Sequence, residues 1–329
     1  MLLVIQIPCL NEEETLPATL AALPRELPGF DRIEWLVIDD GSTDRTVEVA
    51  RQCGVHHVVS HTRNLGLARA FMTGIESSLR LGADVIVNTD ADNQYRGECV
   101  SAIVAPIVAG RADMVIGARP VAEMAHFSWT KKLLQRLGSW VVRIISRTDV
   151  PDAPSGFRAF SRMAARELMV FGNYTYTLET LIQAGQKNLA VVSVPIQVNG
   201  ETRRSRLVAS NWSYVRRSMM TMLRIFVIYR PFRFFMAVGA ILFLAGFAIG
   251  LRFLYFFVTG LGKGNVQSLI LAAVLLIMGF QAALVAFLAD LMAANRRLLE
   301  SLRVALSRQG DPHDAAPLVG QRDHRDDRR

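Results

Sequence analysis

The chain has 329 residues, of which 51% are hydrophobic, and it carries a formal net charge of +8. Its three cysteines, Cys9, Cys53 and Cys99, are far apart and lack metal-ligand spacing, which argues against a disulfide scaffold and fits a reducing compartment. The basic residues crowd beside two long apolar stretches, so we attribute the charge to a membrane surface and expect no nucleic-acid partner.

Short apolar runs alternate with helical patterns over the first 200 residues. The predicted strands are Leu2 to Ile7, Trp35 to Ile38, Val58 to Val59, Asp84 to Val87, Met114 to Gly117 and Val191 to Val198. The first predicted helix ends near Leu23. The other predicted helices cover Arg45 to Cys53, Asn64 to Leu81, Glu98 to Ala109 and Ser128 to Ile145. This alternation predicts an α/β fold with a mainly parallel sheet. The apolar start lacks a basic leader and is interpreted as a strand, not a signal peptide.

Two acids follow the fourth predicted strand. Asp90 and Asp92 lie two residues apart, so in an extended chain their side chains point the same way. Hard divalent cations prefer such oxygen ligands together with phosphate oxygens, and open α/β sheets bind ligands at this edge. The pattern therefore favours a metal and diphosphate site, although Asp also commonly ends a strand and begins a turn.

The second part of the chain contains two stretches that are long enough to cross a bilayer. Phe234 to Leu251 and Gly264 to Ala289 are uncharged and mostly apolar. Eight arginines precede the first stretch and Arg296 and Arg297 follow the second, which predicts that both flanking parts are cytoplasmic. The predicted divisions are a soluble domain at 1–207, an interfacial amphipathic helix at 208–231, transmembrane helices at 232–259 and 264–290, and a cytoplasmic surface helix with a disordered tail at 291–329.

Nucleotide-binding motifs of other classes are missing from the sequence. No Gly-x-Gly-x-x-Gly follows the first strand, and no Gly-x-x-x-x-Gly-Lys-Ser/Thr occurs. Their absence argues against a dinucleotide-binding domain and a P-loop NTPase. Carboxylates must therefore handle any nucleotide.

Five ordered motifs carry a resemblance to a known family. They are Ile7 to Glu13 (IPCLNEE), Val37 to Asp44 (VIDDGSTD), Asn64 to Gly66 (NLG), Asp90 to Gln94 (DADNQ) and Ser155 to Arg158 (SGFR). Together they resemble family 2 glycosyltransferases of the GT-A fold. The chain is most similar to the polyprenyl-phosphate glycosyltransferase branch, which includes dolichol-phosphate mannose synthases and bactoprenol glucosyl transferases.

The resemblance implies a role for each matching residue. Nucleotide-sugar binding is implied for Pro8, Cys9, Asn11, Glu12, Asp39, Asp40, Asp90 and Glu179. Mg²⁺ or Mn²⁺ would be held by Asp90, Asp92 and Gln94. Catalytic roles are implied for Asp92, Asp152, Arg119 and Arg203, and contact with the acceptor phosphate for Lys131, Arg136, Arg203, Ser205 and Arg206. Each has a simpler interpretation, such as a helix cap for Glu179, a solvated loop charge for Arg119 and Asp152, or lipid-facing charge for Arg203 and Arg206.

The implied reaction is an inverting, metal-dependent transfer from a nucleotide sugar to polyprenyl phosphate at the cytoplasmic face of the plasma membrane. A UDP-sugar is favoured and GDP-mannose is the other donor considered. The resemblance is compatible with a homo-oligomer, a dimer or a tetramer. A processive polysaccharide synthase is disfavoured because the chain has only two spans and no Gln-x-x-Arg-Trp motif. A catalytically silent membrane scaffold is disfavoured by the intact acidic motifs.

Overall fold

The structure is a computed structural model that describes residues 1–120, 143, 148–170, 176–199, 220, 223–224, 226–227, 229–259 and 266–309. Its strands are β1 (Leu2–Cys9), β2 (Arg32–Asp39), β3 (His57–Ser60), β4 (Val85–Asn88), β5 (Met114–Ala118), β6 (Arg158–Ser161) and β7 (Val191–Pro195). Its helices are α1 (Leu16–Ala22), α2 (Thr46–Gln52), α3 (Leu67–Arg80), α4 (Cys99–Val108), α5 (Arg162–Glu167), α6 (Tyr176–Gln186), α7 (Pro231–Val258) and α8 (Val266–Gln309).

The seven strands form one sheet in the order β3-β2-β1-β4-β6-β5-β7. All six predicted strands are present, and every pairing among β1 to β4, as well as that of β5 with β7, is parallel. The mainly parallel sheet is thus confirmed. β6 was not predicted from the sequence; it begins at Arg158 and is antiparallel to both of its neighbours.

Helices cover both faces of this sheet, and successive residues of a strand pack alternately against the two helical layers. Leu3, Ile5 and Ile7 of β1 are buried in a cluster with residues of α1, α2 and α4, whereas Val4 is buried in a second cluster with residues of α3, α5 and α6. Because successive strand residues point to opposite faces, a strand with helices on both sides must be apolar throughout. The fully buried pattern of β1 shows this.

Two long helices follow the sheet domain. Pro231–Val258 and Val266–Asn295 are long and apolar enough to cross a membrane. They pack closely at glycines: a Cβ built on Gly239 would lie 2.9 Å from the carbonyl oxygen of Gly279, and one on Gly246 would lie 2.9 Å from the backbone nitrogen of Leu276. A Cβ on Gly250 would meet nothing within 4 Å. Close packing of helices at small residues is typical of membrane proteins.

The second of these helices is longer than expected. The sequence predicts a span that ends at residue 290 and a separate surface helix within 291–329, but α8 runs without interruption to Gln309. Neither glycine nor proline occurs between the two predicted helices, so the backbone has no reason to break there.

The segment before α7 rests on the sheet domain. Phe226 and Tyr229 pack against the buried cluster that includes Phe71 of α3 and Leu181 of α6. Phe226 also contacts Phe234 edge to face, with ring centroids 6.3 Å apart. These contacts join the first long apolar helix to the helical layer on one face of the sheet. The predicted helix at Ser128 to Ile145 and most of the predicted interfacial helix at 208–231 lie outside the described residues.

Candidate active site

Polar motifs converge at the edge of the sheet where β1, β2 and β4 end. β1 lies between β2 and β4, and all three strands run in the same direction, so their following loops are neighbours. Proline has no backbone N–H to donate to a neighbouring strand. Pro8 is nevertheless compatible with the central strand β1, because β1 pairs with β4 only as far as Gln6 and no residue of β4 needs a hydrogen bond from position 8. The acidic motifs after β2 and β4 therefore lie at one edge of the sheet.

The loops after β1 and β2 are held together by side chains that satisfy each other's backbone groups. The backbone N–H of Asn11 donates to Ser42 Oγ at 2.9 Å, and that of Thr43 donates to Asn11 Oδ1 at 2.8 Å. The N–H of Glu12 donates to Thr46 Oγ1 at 2.9 Å. Asn11 has a φ of 54°, a left-handed conformation that Asn tolerates better than most residues. The two motifs therefore form one rigid double loop.

Asp40 is buried, and both of its carboxylate oxygens are engaged within the protein. Oδ1 accepts from the Leu65 N–H at 2.9 Å and lies 2.7 Å from His61 Nδ1, while Oδ2 accepts from the Gly66 N–H at 2.8 Å. His61, to which the sequence analysis gave no role, also contacts Thr73 Oγ1 through Nε2 at 3.0 Å. Asp40 thus holds the Asn-Leu-Gly motif in place. These contacts do not require a nucleotide.

The position directly after Asp39 and Asp40 requires a glycine, Gly41. Its φ of 79° is left-handed, and a Cβ there would lie 2.6 Å from the carbonyl carbon of Arg63 and 2.8 Å from the backbone nitrogen of Asn64. No side chain can fit against backbone at this distance. Asp39, the first acid of the pair, accepts from the Ser42 N–H at 2.9 Å, which closes the turn.

Asp90 and Asp92 lie at the end of β4, where neither residue is fully buried. Burial, and next the negative charge of Asp92, raise the pKa of Asp90 to about 7. The Gln94 N–H donates to Asp92 Oδ1 at 3.1 Å, and Asn93 between them has a φ of 55°. Two repelling carboxylates of this kind favour a bound cation, which would relieve the repulsion.

The donor set fits a hard divalent ion that is completed by its ligand. Among the described residues no group of three or more His, Cys, Asp or Glu side chains could hold a metal alone. Two carboxylates leave most positions of an octahedral ion open for phosphate oxygens and water, which is how Mg²⁺ is usually bound with nucleotides. The geometry therefore suits a metal that arrives with a diphosphate. For Gln94 the contacts involve its backbone, whose carbonyl accepts from the Asn199 N–H at 2.9 Å.

A network of buried polar side chains supports the acid pair Asp90 and Asp92. Gln6 Nε2 donates to Asn88 Oδ1 at 2.9 Å, and Asn88 Nδ2 donates to the Gly156 carbonyl at 2.9 Å and to Tyr176 Oη at 3.0 Å. Gly156 faces Asp90 so closely that a Cβ would lie 3.0 and 3.1 Å from the two carboxylate oxygens. The glycine of the Ser-Gly-Phe-Arg motif thus makes room for Asp90.

Arg158, the last residue of that motif, is a fully buried cation that the sequence analysis left without a role. It donates to the carbonyls of Ser155 at 2.7 Å, Thr177 at 2.7 Å and Ala153 at 2.5 Å, and to Thr180 Oγ1 at 2.9 Å. Burial lowers its pKa to about 10. Arg158 fixes the loop that carries Gly156 to the start of α6. No sequence pattern could indicate this role, because the partners of Arg158 are mostly backbone oxygens.

Arg119 and Asp152, both predicted to act in catalysis, pair with each other. Arg119 Nε and Nη2 donate to the Asp152 carboxylate at 2.8 and 3.1 Å, and the Arg119 backbone N–H adds a third contact at 3.2 Å. The side chains are only 14% and 2% exposed. Burial alone would lower the pKa of Arg119, but the hydrogen bonds with Asp152 raise it. Arg119 therefore stays charged and is held beside Asp90, whose charge also raises the pKa of Arg119.

Other predicted residues have clear places in the fold. Cys9 is buried at the end of β1, where burial and the charge of Glu12 raise the thiol pKa well above its usual value. Glu12 accepts from Thr15 Oγ1 at 2.6 Å. Glu179 lies in the first turn of α6, where an acid suits the helix dipole. The predicted acceptor residues Lys131, Arg136, Arg203, Ser205 and Arg206 lie outside the described residues.

A family model and the named relatives of the chain indicate the same kind of protein, a glycosyltransferase. The family model for Glycosyl transferase family 2 matches residues 4–169. An undecaprenyl-phosphate mannosyltransferase of Micrococcus luteus is 30% identical over 200 residues, which cover 58% of this chain and 80% of the relative. A UDP-N-acetylglucosamine–dolichyl-phosphate N-acetylglucosaminyltransferase of Methanococcus voltae is 27% identical over 217 residues, 60% and 85% of the two chains.

A solved structure shares the fold. Glucosyl-3-phosphoglycerate synthase of Mycobacterium tuberculosis, in complex with Mn²⁺, UDP and glucosyl-3-phosphoglycerate, superposes with a TM-score of 0.53 at 21% identity. The alignment covers 67% of this chain and 78% of that chain. The likeness shows the GT-A fold of the sheet domain.

Proposed function

The chain belongs to glycosyl transferase family 2 and is a glycosyltransferase, and on that premise we propose that it transfers one sugar from a nucleotide sugar to a polyprenyl phosphate. The transfer takes place at the cytoplasmic face of the cell membrane. The two long apolar helices anchor the enzyme as a multi-pass protein. The product is a polyprenyl-phosphate sugar.

The observation that carries the donor half of the proposal is the acid pair at the end of β4. Burial and the charge of Asp92 raise the pKa of Asp90, so a cation bound by the two carboxylates would relieve their repulsion. Gly156 leaves room for the Asp90 carboxylate at this position. The rigid double loop formed by Asn11 and Thr43 offers a neighbouring wall for the nucleoside. Mg²⁺ or Mn²⁺ on Asp90 and Asp92 would supply Lewis-acid stabilisation of the leaving diphosphate.

The acceptor half rests on the relatives and on the apolar helices. Both named relatives carry polyprenyl phosphates in their names, an undecaprenyl phosphate and a dolichyl phosphate. A polyprenyl chain stays in the bilayer, so its phosphate must be met at the membrane surface. The packing of Phe226 and Tyr229 on the sheet domain brings the start of the first apolar helix to that domain. Arg203 and Arg206, with Lys131, Ser205 and Arg136, are proposed to bind the acceptor phosphate.

The bond changes follow from the groups that meet in the site. An oxygen of the acceptor phosphate attacks the anomeric carbon, the bond from that carbon to the nucleoside diphosphate breaks, and the anomeric centre inverts. The acceptor phosphate is already largely ionised at pH 7, so no strong base is required. Asp152 is held in its ion pair by Arg119 and therefore serves to orient that arginine toward phosphate, which is an electrostatic role.

The sugar and the base are narrower parts of the proposal. We favour a UDP-sugar because the architecture resembles two-span bactoprenol glucosyl transferases. One relative uses UDP-N-acetylglucosamine by name and the other is a mannosyltransferase, so GDP-mannose is the second donor to test.

The experiment is a transfer assay with the purified full chain in detergent. It contains undecaprenyl phosphate, Mn²⁺ or Mg²⁺ and one radiolabelled donor at a time, and label is counted in the organic phase. Metal-dependent label from one donor supports the proposal and identifies the sugar. Label that stays in water with every donor, while a nucleoside diphosphate still binds, contradicts the acceptor assignment.

A further inference from the structure

The loop after Asp92 is held by a short segment that follows β7. Residues 93–96 and residues 197–199 lie antiparallel, with a bridge between Tyr95 and Val198. We call this pairing the clasp. The two sides are about a hundred residues apart in sequence, as the contact of Arg96 with Gln197 shows. No motif that the sequence analysis singled out includes Asn199 as a functional residue.

Asn199 contacts the start of the loop with its backbone and its side chain. Its backbone N–H donates to the Gln94 carbonyl at 2.9 Å, and its Nδ2 donates to the Asn93 carbonyl at 2.8 Å. Asn93 directly follows Asp92 and has the left-handed φ of 55°. A left-handed residue is a position where a loop can relax to another conformation, so a donor fixed on its carbonyl stabilises the turn.

The same side chain also contacts the end of the loop. Arg96 Nε donates to Asn199 Oδ1 at 3.3 Å, and Arg96 Nη1 donates to Gln197 Oε1 at 2.7 Å. The amide of Asn199 therefore uses its donor on Asn93 and its acceptor on Arg96, and so it spans the loop that presents Asp92. An aspartate, which has no donor, cannot replace both contacts.

We propose that Asn199 is a positioning residue for cation binding: through the clasp it holds the loop 93–96 in the conformation in which Asp92 faces Asp90. The proposal rests on the proposed function, since it requires that these two acids bind a divalent cation with a nucleoside diphosphate. In the sequence, the stretch that contains Arg203 and Arg206 directly follows Asn199.

The clasp lies at the surface, which separates this role from a purely structural one. Arg96 and Gln197 are exposed and Asn199 is half-buried, whereas the core residues of the sheet are fully buried. Loss of exposed hydrogen bonds changes protein stability little. Loss of a group that orients a metal ligand lowers metal affinity about tenfold or more. A change in metal affinity without a change in stability is therefore the signature expected of Asn199.

The test compares Asn199→Asp with Asn188→Asp in the full chain. Asn188 is an exposed residue that precedes β7 at the other end of the strand, so it undergoes the same chemical change away from the clasp. Mn²⁺ binding is measured from the electron paramagnetic resonance signal of free Mn²⁺, with UDP and separately with GDP. The thermal midpoint of each variant is measured in parallel.

The expected result is that Asn199→Asp raises the half-saturating Mn²⁺ concentration about tenfold, with a thermal midpoint close to that of the wild type. Asn188→Asp should leave both unchanged, and Arg96→Gln should weaken Mn²⁺ binding in the same direction. Wild-type Mn²⁺ affinity in Asn199→Asp overturns the clasp proposal and leaves the proposed function intact. Absence of Mn²⁺ binding by the wild type with either nucleotide overturns the donor site itself.

Discussion

Two acid pairs follow β2 and β4, which flank β1 in the sheet, and the surroundings of the two pairs differ. Asp39 and Asp40 at the end of β2 are buried, and the oxygens of Asp40 accept from Leu65, Gly66 and His61. Asp90 and Asp92 at the end of β4 instead repel each other, which contributes to the raised pKa of Asp90. Asp40 stabilises the fold, whereas Asp90 and Asp92 are placed so that a bound cation would relieve their repulsion. Similar sequence motifs thus carry different physical roles.

The largest effect should come from Asp92→Ala. Because a bound cation would stabilise the leaving diphosphate by several kcal/mol, its loss should lower turnover by at least about 100-fold. The protein should remain folded, since Asp92 is only partly buried. Turnover of labelled donor at fixed Mn²⁺ measures the effect, with the thermal midpoint as control. An active Asp92→Ala enzyme would refute the metal assignment.

Asp40→Ala should act on stability instead. Two backbone N–H groups and the His61 imidazole would lose their acceptor in a buried place, at about 1 kcal/mol or more each, which lowers the free energy of unfolding by about 2–4 kcal/mol. Thermal denaturation of the full chain measures this, with exposed Glu26→Ala as control. If Asp40→Ala left the thermal midpoint unchanged and abolished nucleotide binding, the contrast between the two pairs would be wrong.

Metal affinity should depend on pH near neutrality. Without metal, the Asp90 pKa of about 7 means that a proton competes with the cation below this pH. Mn²⁺ affinity should therefore be about tenfold lower at pH 6 than at pH 8, and nearly constant above pH 8. Titrations with Mn²⁺ at several pH values in the presence of UDP test this. Asp90→Asn should bind more weakly and lose the pH dependence, whereas a flat profile in the wild type would contradict the raised pKa.

The smallest effect is expected from Gly156→Ala. The new Cβ would lie 3.0 Å from an Asp90 carboxylate oxygen and 2.9 Å from Tyr176 Oη, so one of these groups must shift by a few tenths of an ångström. We expect Mn²⁺ affinity to fall about threefold to tenfold. Gly250→Ala is the matched control, because a Cβ there meets nothing within 4 Å. Equal Mn²⁺ affinity in both variants would show that Gly156 does not shape the site.

Local patterns predicted the parallel part of the sheet well. β1 to β5 and β7 are apolar runs bounded by turn residues, and the acids that follow β2 and β4 had to meet at one edge once the strands were parallel. β6 was missed because it has only four residues and begins at the last residue of the Ser-Gly-Phe-Arg motif. Its antiparallel pairing depends on contacts with β4 and β5, which the local sequence does not specify.

The contacts within the site were the least predictable part. Arg119 and Asp152 are 33 residues apart and were assigned separate roles, yet they form one ion pair. His61 received no role because its partner Asp40 lies 21 residues earlier, in the loop after β2. Such pairs form only when tertiary packing brings them together, so a single sequence gives their residue types but not their partners.

The most direct test of the contrast between the acid pairs is Mn²⁺ binding by three forms of the full chain at pH 8 with UDP: the wild type, Asp92→Asn and Asp40→Asn. All three are compared below their thermal midpoints. The account predicts that Asp92→Asn loses at least about tenfold in Mn²⁺ affinity while Asp40→Asn keeps wild-type affinity. Equal loss in both variants, or loss in Asp40→Asn alone, would contradict it.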